Sequence, residues 1–331
     1  MKPANRMPVF RIGIPMLLLV LLSLSCGTGG SDFAGGGTGG TGISTGEISG
    51  FGSVVVNDVH FRTDNNVVPG YMTRKWVNGS DKSHQKDRDV FSEGMVVTVR
   101  HGTVDNNARA IEYRNNLRGP VSAIVTGEDN VIGVLGQAVV VDNAALFLSL
   151  GLDDVVEVSG YADNAGRIRA VYVSVAGPPM PPPFQEFEVH GFVSGSSATG
   201  FRVGPLPDGS GTTVTVSFPA GGPADGSYVQ VVTEDRAPVA GIITATRVEP
   251  LAARTDFPEG AEAALTGLVT TPWGGSGNDL SFKVEGKRVV WSADTAFTGG
   301  VSADAGEPDR RVQVQGRENG GVLYASRIVF R

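Results

Sequence analysis

Cysteine is almost missing from this 331-residue chain. Cys26 stands alone, so neither an intramolecular disulfide nor a multi-cysteine metal site can form. Histidine is scarce too. His60, His84, His101 and His190 are the only four, and their spacing matches no ligand motif, so no metal and no cofactor is expected. Lysine is sparse, 6 residues against 21 arginines, and the arginines are scattered without forming a stripe. With a net charge of −7, this argues against nucleic acid as a partner. Charged residues make up only 18% of the chain and apolar residues 40%, which is not the composition of a disordered polymer, so globular modules are expected. Also missing is an apolar run of the roughly twenty residues that a membrane-spanning helix needs. The longest, from Ile12 to Leu22, has 11.

That run has a defined setting. Lys2, Arg6 and Arg11 precede it without any acid, and small residues follow, which is the order of a secretory signal over residues 1–25. Ser23-Leu24-Ser25-Cys26-Gly27 comes next and resembles the lipobox of bacterial lipoproteins, with Ser23 where Leu is usual. The resemblance implies a lipid on Cys26, a membrane contact through that lipid, and a cell-envelope address. By the same analogy, Gly27 favours the outer membrane in a Gram-negative host. Several acyl chains on one residue make an anchor stable, whereas one chain binds only marginally. Residues 26–45 are mostly Gly, Ser and Thr and read as a flexible tether spanning about 25 Å.

Glycine is plentiful, at 47 residues, and much of it lies in turn-like pairs such as Asn78-Gly79, Asp208-Gly209 and Asp225-Gly226, which favours an all-β fold. Four internal repeats follow the tether. Each opens on a Gly and a strand start: Gly46-Glu-Ile-Ser, Gly119-Pro-Val-Ser, Gly191-Phe-Val-Ser and Gly267-Leu-Val-Thr. A second signature alternates apolar with polar at Val96-Val-Thr-Val, Val155-Val-Glu-Val, Tyr228-Val-Gln-Val and Arg311-Val-Gln-Val, the period of a half-buried strand. A third carries a shared alanine: Ala110, Ala170, Ala245 and Ala325. Turns such as Asp163-Asn-Ala-Gly and Glu318-Asn-Gly-Gly join the last two signatures into hairpins.

Four to six short strands per repeat predict tandem small antiparallel β-barrels, OB-like, because closure removes exposed edges. The boundaries are module 1 at 46–115, module 2 at 116–176, module 3 at 187–250 and module 4 at 262–331. A Pro-rich linker at 177–186 divides the modules into two pairs, and a second linker lies at 251–261. Gly46-Glu-Ile-Ser-Gly-Phe-Gly-Ser-Val-Val-Val-Asn-Asp-Val-His-Phe, Gly94-Met-Val-Val-Thr-Val and Val155-Val-Glu-Val-Ser-Gly resemble bacterial lipoproteins of the domain-of-unknown-function 5666 (DUF5666) family, most strongly in modules 1 and 2. The third unit departs most, with Pro and Gly insertions around Pro205 to Pro223. The resemblance implies a tandem-domain envelope protein and assigns no activity.

No catalytic residues are assigned. Asp153-Asp154 reads as a turn before a strand, and Asp304 with Glu307 is the other carboxylate pair considered for acid–base work. Calcium loops, serine nucleophile elbows and phosphate-cradling glycine motifs are absent. Trp291 follows Val289-Val290 and belongs to a core. Trp273, after Pro272 in a Gly-rich turn, is the candidate ligand-binding residue. The leading expectation is a non-enzymatic envelope protein with an interaction or structural role, meeting an envelope protein or glycan. A carbohydrate- or other ligand-binding lipoprotein stands second and a hydrolase with an unrecognised site third.

Overall fold

A computed structural model describes residues 41–64, 72–175, 186–274 and 280–331. All of them fall in one compact unit, Ala34–Arg331. The signal segment, Cys26, the tether up to residue 40 and residues 177–185 of the Pro-rich linker lie outside the described residues.

Module 1 runs through β1 (Thr41–Gly50), β2 (Val54–Val56), β3 (Val59–Phe61), β4 (Arg74–Val77), β5 (Ser80–Asp81), the helical turn α1 (Asp87–Val90), β6 (Val96–Gly102) and β7 (Ala108–Tyr113). Module 2 has β8 (Leu117–Val125), β9 (Val131–Val134), β10 (Gln137–Val141), α2 (Ala144–Ser149), β11 (Val155–Ala162) and β12 (Ile168–Val175). Module 3 has β13 (Phe187–Ser194), β14 (Gly200–Gly204), β15 (Val214–Ser217), β16 (Tyr228–Thr233) and β17 (Ile242–Leu251). Module 4 has β18 (Glu262–Thr271), β19 (Ser281–Val284), β20 (Lys287–Val290), β21 (Ala296–Thr298), a 3-10 turn at Ser302–Gly306, β22 (Arg311–Asn319) and β23 (Val322–Phe330).

One topology recurs. In module 2 the ring closes as β8-β9-β10-β12-β11-β8, and only β10–β12 is parallel. Modules 3 and 4 close in the same order, with β15–β17 and β20–β23 as the parallel pairs. This is the five-stranded OB order, as expected. The barrels are not purely antiparallel because a ring of five strands cannot alternate direction all the way round. In module 1 the third strand is split. A single parallel bridge joins Arg62 to Asn107, and pairing beside β7 resumes only in β4.

The shared alanine now has a cause. The fourth strand of each module bulges against the fifth, and the alanine sits opposite the bulge: Ala170 faces Gly160 and Ala325 faces Gly316. A Cβ at Gly160 would lie 2.2 Å from the Arg169 carbonyl oxygen, and one at Gly316 would lie 2.1 Å from that of Tyr324. Only glycine fits the bulge at these two positions.

The modules are not beads on a string. β1 pairs in parallel with β18, from Gly42–Glu262 to Thr45–Leu265, so modules 1 and 4 share a sheet. β8 pairs with β13 through Arg118–Glu188 and Leu117–Val189, and modules 2 and 3 share both a sheet and one apolar cluster. A smaller cluster of Val96, Tyr161 and Leu268 joins modules 1, 2 and 4. The pairing is therefore first with fourth and second with third, in place of the division at the Pro-rich linker. The tether boundary expected at residue 45 is also corrected. β1 begins at Thr41, because Thr41–Glu47 pair with β6 while Gly42–Thr45 pair with β18 on the other side.

Polar positions of the alternating strands line these joints. Glu157 accepts from the Tyr113 hydroxyl at 2.9 Å and the Asn78 side chain at 3.1 Å. Gln313 donates to the Asn57 carbonyl at 3.1 Å. Thr266 donates to the Asn57 side chain at 2.7 Å, and Arg311 pairs with Glu47 at 2.6 Å. These side-chain bonds cross module boundaries, which fixes the register of one barrel on the next.

Candidate functional site

The ligand face of an OB barrel lies between the loop joining strands one and two and the loop joining strands four and five, over the middle strands. In module 1 these loops are residues 51–53 and 103–107. Between them opens a cleft of about 650 Å³ lined by Gly52, Ser53, His60, Arg62, Asp105 and Asn106, with Val104 at the rim. Strand alternation builds it. Val59 and Phe61 point into the core, so His60 and Arg62 both face outward. The Ser53 hydroxyl and His60 Nδ1 lie 3.0 Å apart. Arg62 is held by its backbone, donating its N–H to the Asn106 carbonyl at 3.0 Å and accepting from the Ala108 N–H at 2.8 Å. Asp105 accepts from the Asn107 N–H at 3.2 Å and side-chain amide at 2.8 Å.

The same place in module 2 is filled by ions. Asp129 in the first loop and Asp163 in the second both bind Arg167, at 2.8 and 2.7 Å, and Asp142 at the end of β10 binds Arg169 at 2.5 Å. The fully buried Asp163 also accepts from the N–H groups of Ala165 and Arg167. In module 4 the first loop is packed by rings onto the barrel core. Trp273, in the first loop, lies edge-on to Trp291 at 5.3 Å, and Trp291 continues to Phe282 and Phe297.

A second feature lies where the modules meet. A cavity of about 30 Å³ is lined by His190, Tyr228, Asn116, Arg254 and Glu285. His190 Nε2, Arg254 Nη1 and Glu285 Oε1 are buried there without hydrogen-bond partners. The space suits one or two waters. Burial pushes the Glu285 carboxyl up to about 7, against the opposing pull of Arg254 at 3.7 Å. Burial also pushes His190 below its ordinary value, although its neighbour Glu188 favours the charged form. His190 donates through Nδ1 to the Asn115 carbonyl at 2.6 Å.

Cys26 lies outside the described residues. Trp273 is partly buried against its aromatic neighbours, and Trp291 is buried in the module 4 core. The three histidines of module 1 are kept apart. His60 lines the cleft, His84 is exposed, and His101 is buried against Phe61 with Ser44 at 3.2 Å. Among the described residues, no group of three or more His, Cys, Asp or Glu is arranged around a metal position. Asp153 adopts a left-handed turn conformation while Asp154 accepts from the Gly151 N–H, so this pair shapes a turn. Asp304 accepts from the Val301 N–H, and Glu307 pairs with Arg310. Arg62, Ser53 and Asn106 were not picked out from the sequence. The available signal was the alternation Val59, His60, Phe61, Arg62, which places two cation-capable side chains together on the outer face.

The fold defines a protein of tandem small OB-like barrels, with a cleft between the two loops of module 1. Residues 118–174 and 267–329 match the family described as domain of unknown function DUF5666, consistent with repeated modules of that family. No curated protein matches the chain. The matched segments are modules 2 and 4, whereas the resemblance in sequence covers most of the chain after the signal segment and is strongest in modules 1 and 2. The split third strand of module 1 interrupts the pattern that its neighbours keep.

Proposed function

We propose that this is a lipid-anchored, non-enzymatic protein of the cell envelope, whose four barrels form one block that presents the module 1 cleft to a ligand. The observation that carries the reading is the contrast between two clefts: the position is open in module 1 and ion-filled in module 2. Joints made of paired strands and of side-chain hydrogen bonds that cross module boundaries support a rigid presenting block over independently swinging domains. The order of Lys2, Arg6, Arg11, the apolar run and Cys26 supports the anchor.

Two experiments test the parts separately. Cys26→Ala abolishes metabolic labelling with a fatty acid if the anchor is right, and persisting label refutes it. Hydrogen exchange of the full chain against a glycan library shows ligand-dependent protection at Gly52–Arg62 and Val104–Asn107 if the cleft is the site. Protection confined to other modules refutes the cleft. Trp273 now reads as packing for module 4, and the carbohydrate reading moves from that residue to module 1.

A further inference from the structure

We propose that the module 1 cleft takes an anionic saccharide, whose acidic group is held by Arg62. This rests on the cleft being the ligand site. Arg62 lines the cleft with its backbone fixed on both sides, so its guanidinium is presented from a rigid point. Among the described residues, no carboxylate forms an ion pair with it. Asp105, the acid in the lining, accepts from Asn107 with both oxygens and forms no ion pair with Arg62. Some arginines of this acidic chain, such as Arg114, Arg167, Arg169, Arg247 and Arg311, pair with Asp or Glu at 2.8 Å or less, whereas Arg62 is among those left to solvent. An unpaired guanidinium offers a planar fork of donors matched to a carboxylate or phosphate. His60, Ser53 and Asn106 add donors and acceptors suited to hydroxyl groups.

The lining also excludes alternatives. Among the described residues lining the cleft the one ring is the His60 imidazole, with no Trp, Tyr or Phe to form the broad stacking platform on which single-stranded nucleic acid and neutral sugars rely. The volume, about 650 Å³, lies within the roughly 300–1,000 Å³ of small-molecule sites.

The test uses the full chain in detergent, titrated calorimetrically with tri-galacturonic acid, glucose 6-phosphate and maltotriose, with hydrogen exchange locating each bound probe. Binding of either anionic probe at Gly52–Arg62 and Val104–Asn107 is expected, weakening as salt rises. Arg62→Ala should weaken it at least tenfold with the melting temperature unchanged, and Arg62→Lys should weaken it less. Binding of galacturonate alone assigns a carboxylate, and of the sugar phosphate alone a phosphate. Maltotriose bound in the cleft as tightly as the anions, with no effect of Arg62→Ala, would overturn the charge assignment and leave the cleft standing. No probe bound in the cleft would overturn both.

Discussion

Modules 1 and 2 place the same two loops over the same strands and fill the space between them in opposite ways. In module 2, Asp129, Asp142 and Asp163 meet Arg167 and Arg169 and close the gap. In module 1, Ser53, Asp105 and Asn106 stand in the corresponding loops and, among the described residues, no carboxylate pairs with Arg62. The strand order fixes where a cleft lies, and the loop chemistry decides whether it is a site or a seal. The family match falls on modules 2 and 4, and modules 1 and 3 lie outside it.

The contrast can be broken by substitution. The largest effect is expected from Asp163→Ala, which leaves Arg167 and two N–H groups without their buried acceptor. A loss of about 4 kcal/mol in urea unfolding is expected, and a loss below about 1 kcal/mol would mean that the module 2 ions are surface decoration.

Glu285 shows what a buried acid costs without a full set of partners. Its folded-state value, about 7, lies above the ordinary 4.5, so the folded chain holds this proton more tightly. Stability from this group is present below 4.5 and is lost as pH rises to about 7. Glu285→Gln should therefore match the parent near pH 4.5 and exceed it at pH 8, by up to about 3 kcal/mol. The depressed His190 titrates in both proteins and cancels in the difference. A difference that stays flat with pH would remove Glu285 from the account.

Trp273→Ala should cost about 2 kcal/mol of stability through the lost ring contact and leave binding of anionic saccharides unchanged. The reverse result would reopen module 4 as the ligand face. The smallest stability effect is expected for Arg62→Ala, within about 0.5 kcal/mol of the parent, because its side chain supports nothing in the fold. A larger loss would show that module 1 is sealed as well.

Much of this fold was legible beforehand, for reasons that can be named. The repeats, the hairpins around Asp163-Gly166 and Glu318-Gly321, and the barrel class follow from local alternation and turn residues. What escaped depends on distant partners. Glu157 reads as a solvent-facing position because alternation reports only that it points away from its own core. The Tyr113 hydroxyl that meets it lies 44 residues away in the chain. Thr41–Thr45 read as tether because glycine and threonine carry little apolar signal, yet β6 and β18 flank them on both sides. The module 2 seal was hidden in the same way, since Asp129 and Arg167 belong to loops separated by three strands. For the cleft itself, the residues were visible but their lack of partners was not.

The position of β1 has a mechanical meaning. A pull applied at Thr41 runs along the strand axis, so the bonds to β6 and β18 are loaded in shear and must yield together instead of opening one after another. Because β18 belongs to the last module, such a force is shared at once between the two ends of the block. A protein held to a surface by its N-terminus would take strain there first, at the point where its sheet is braced from both sides.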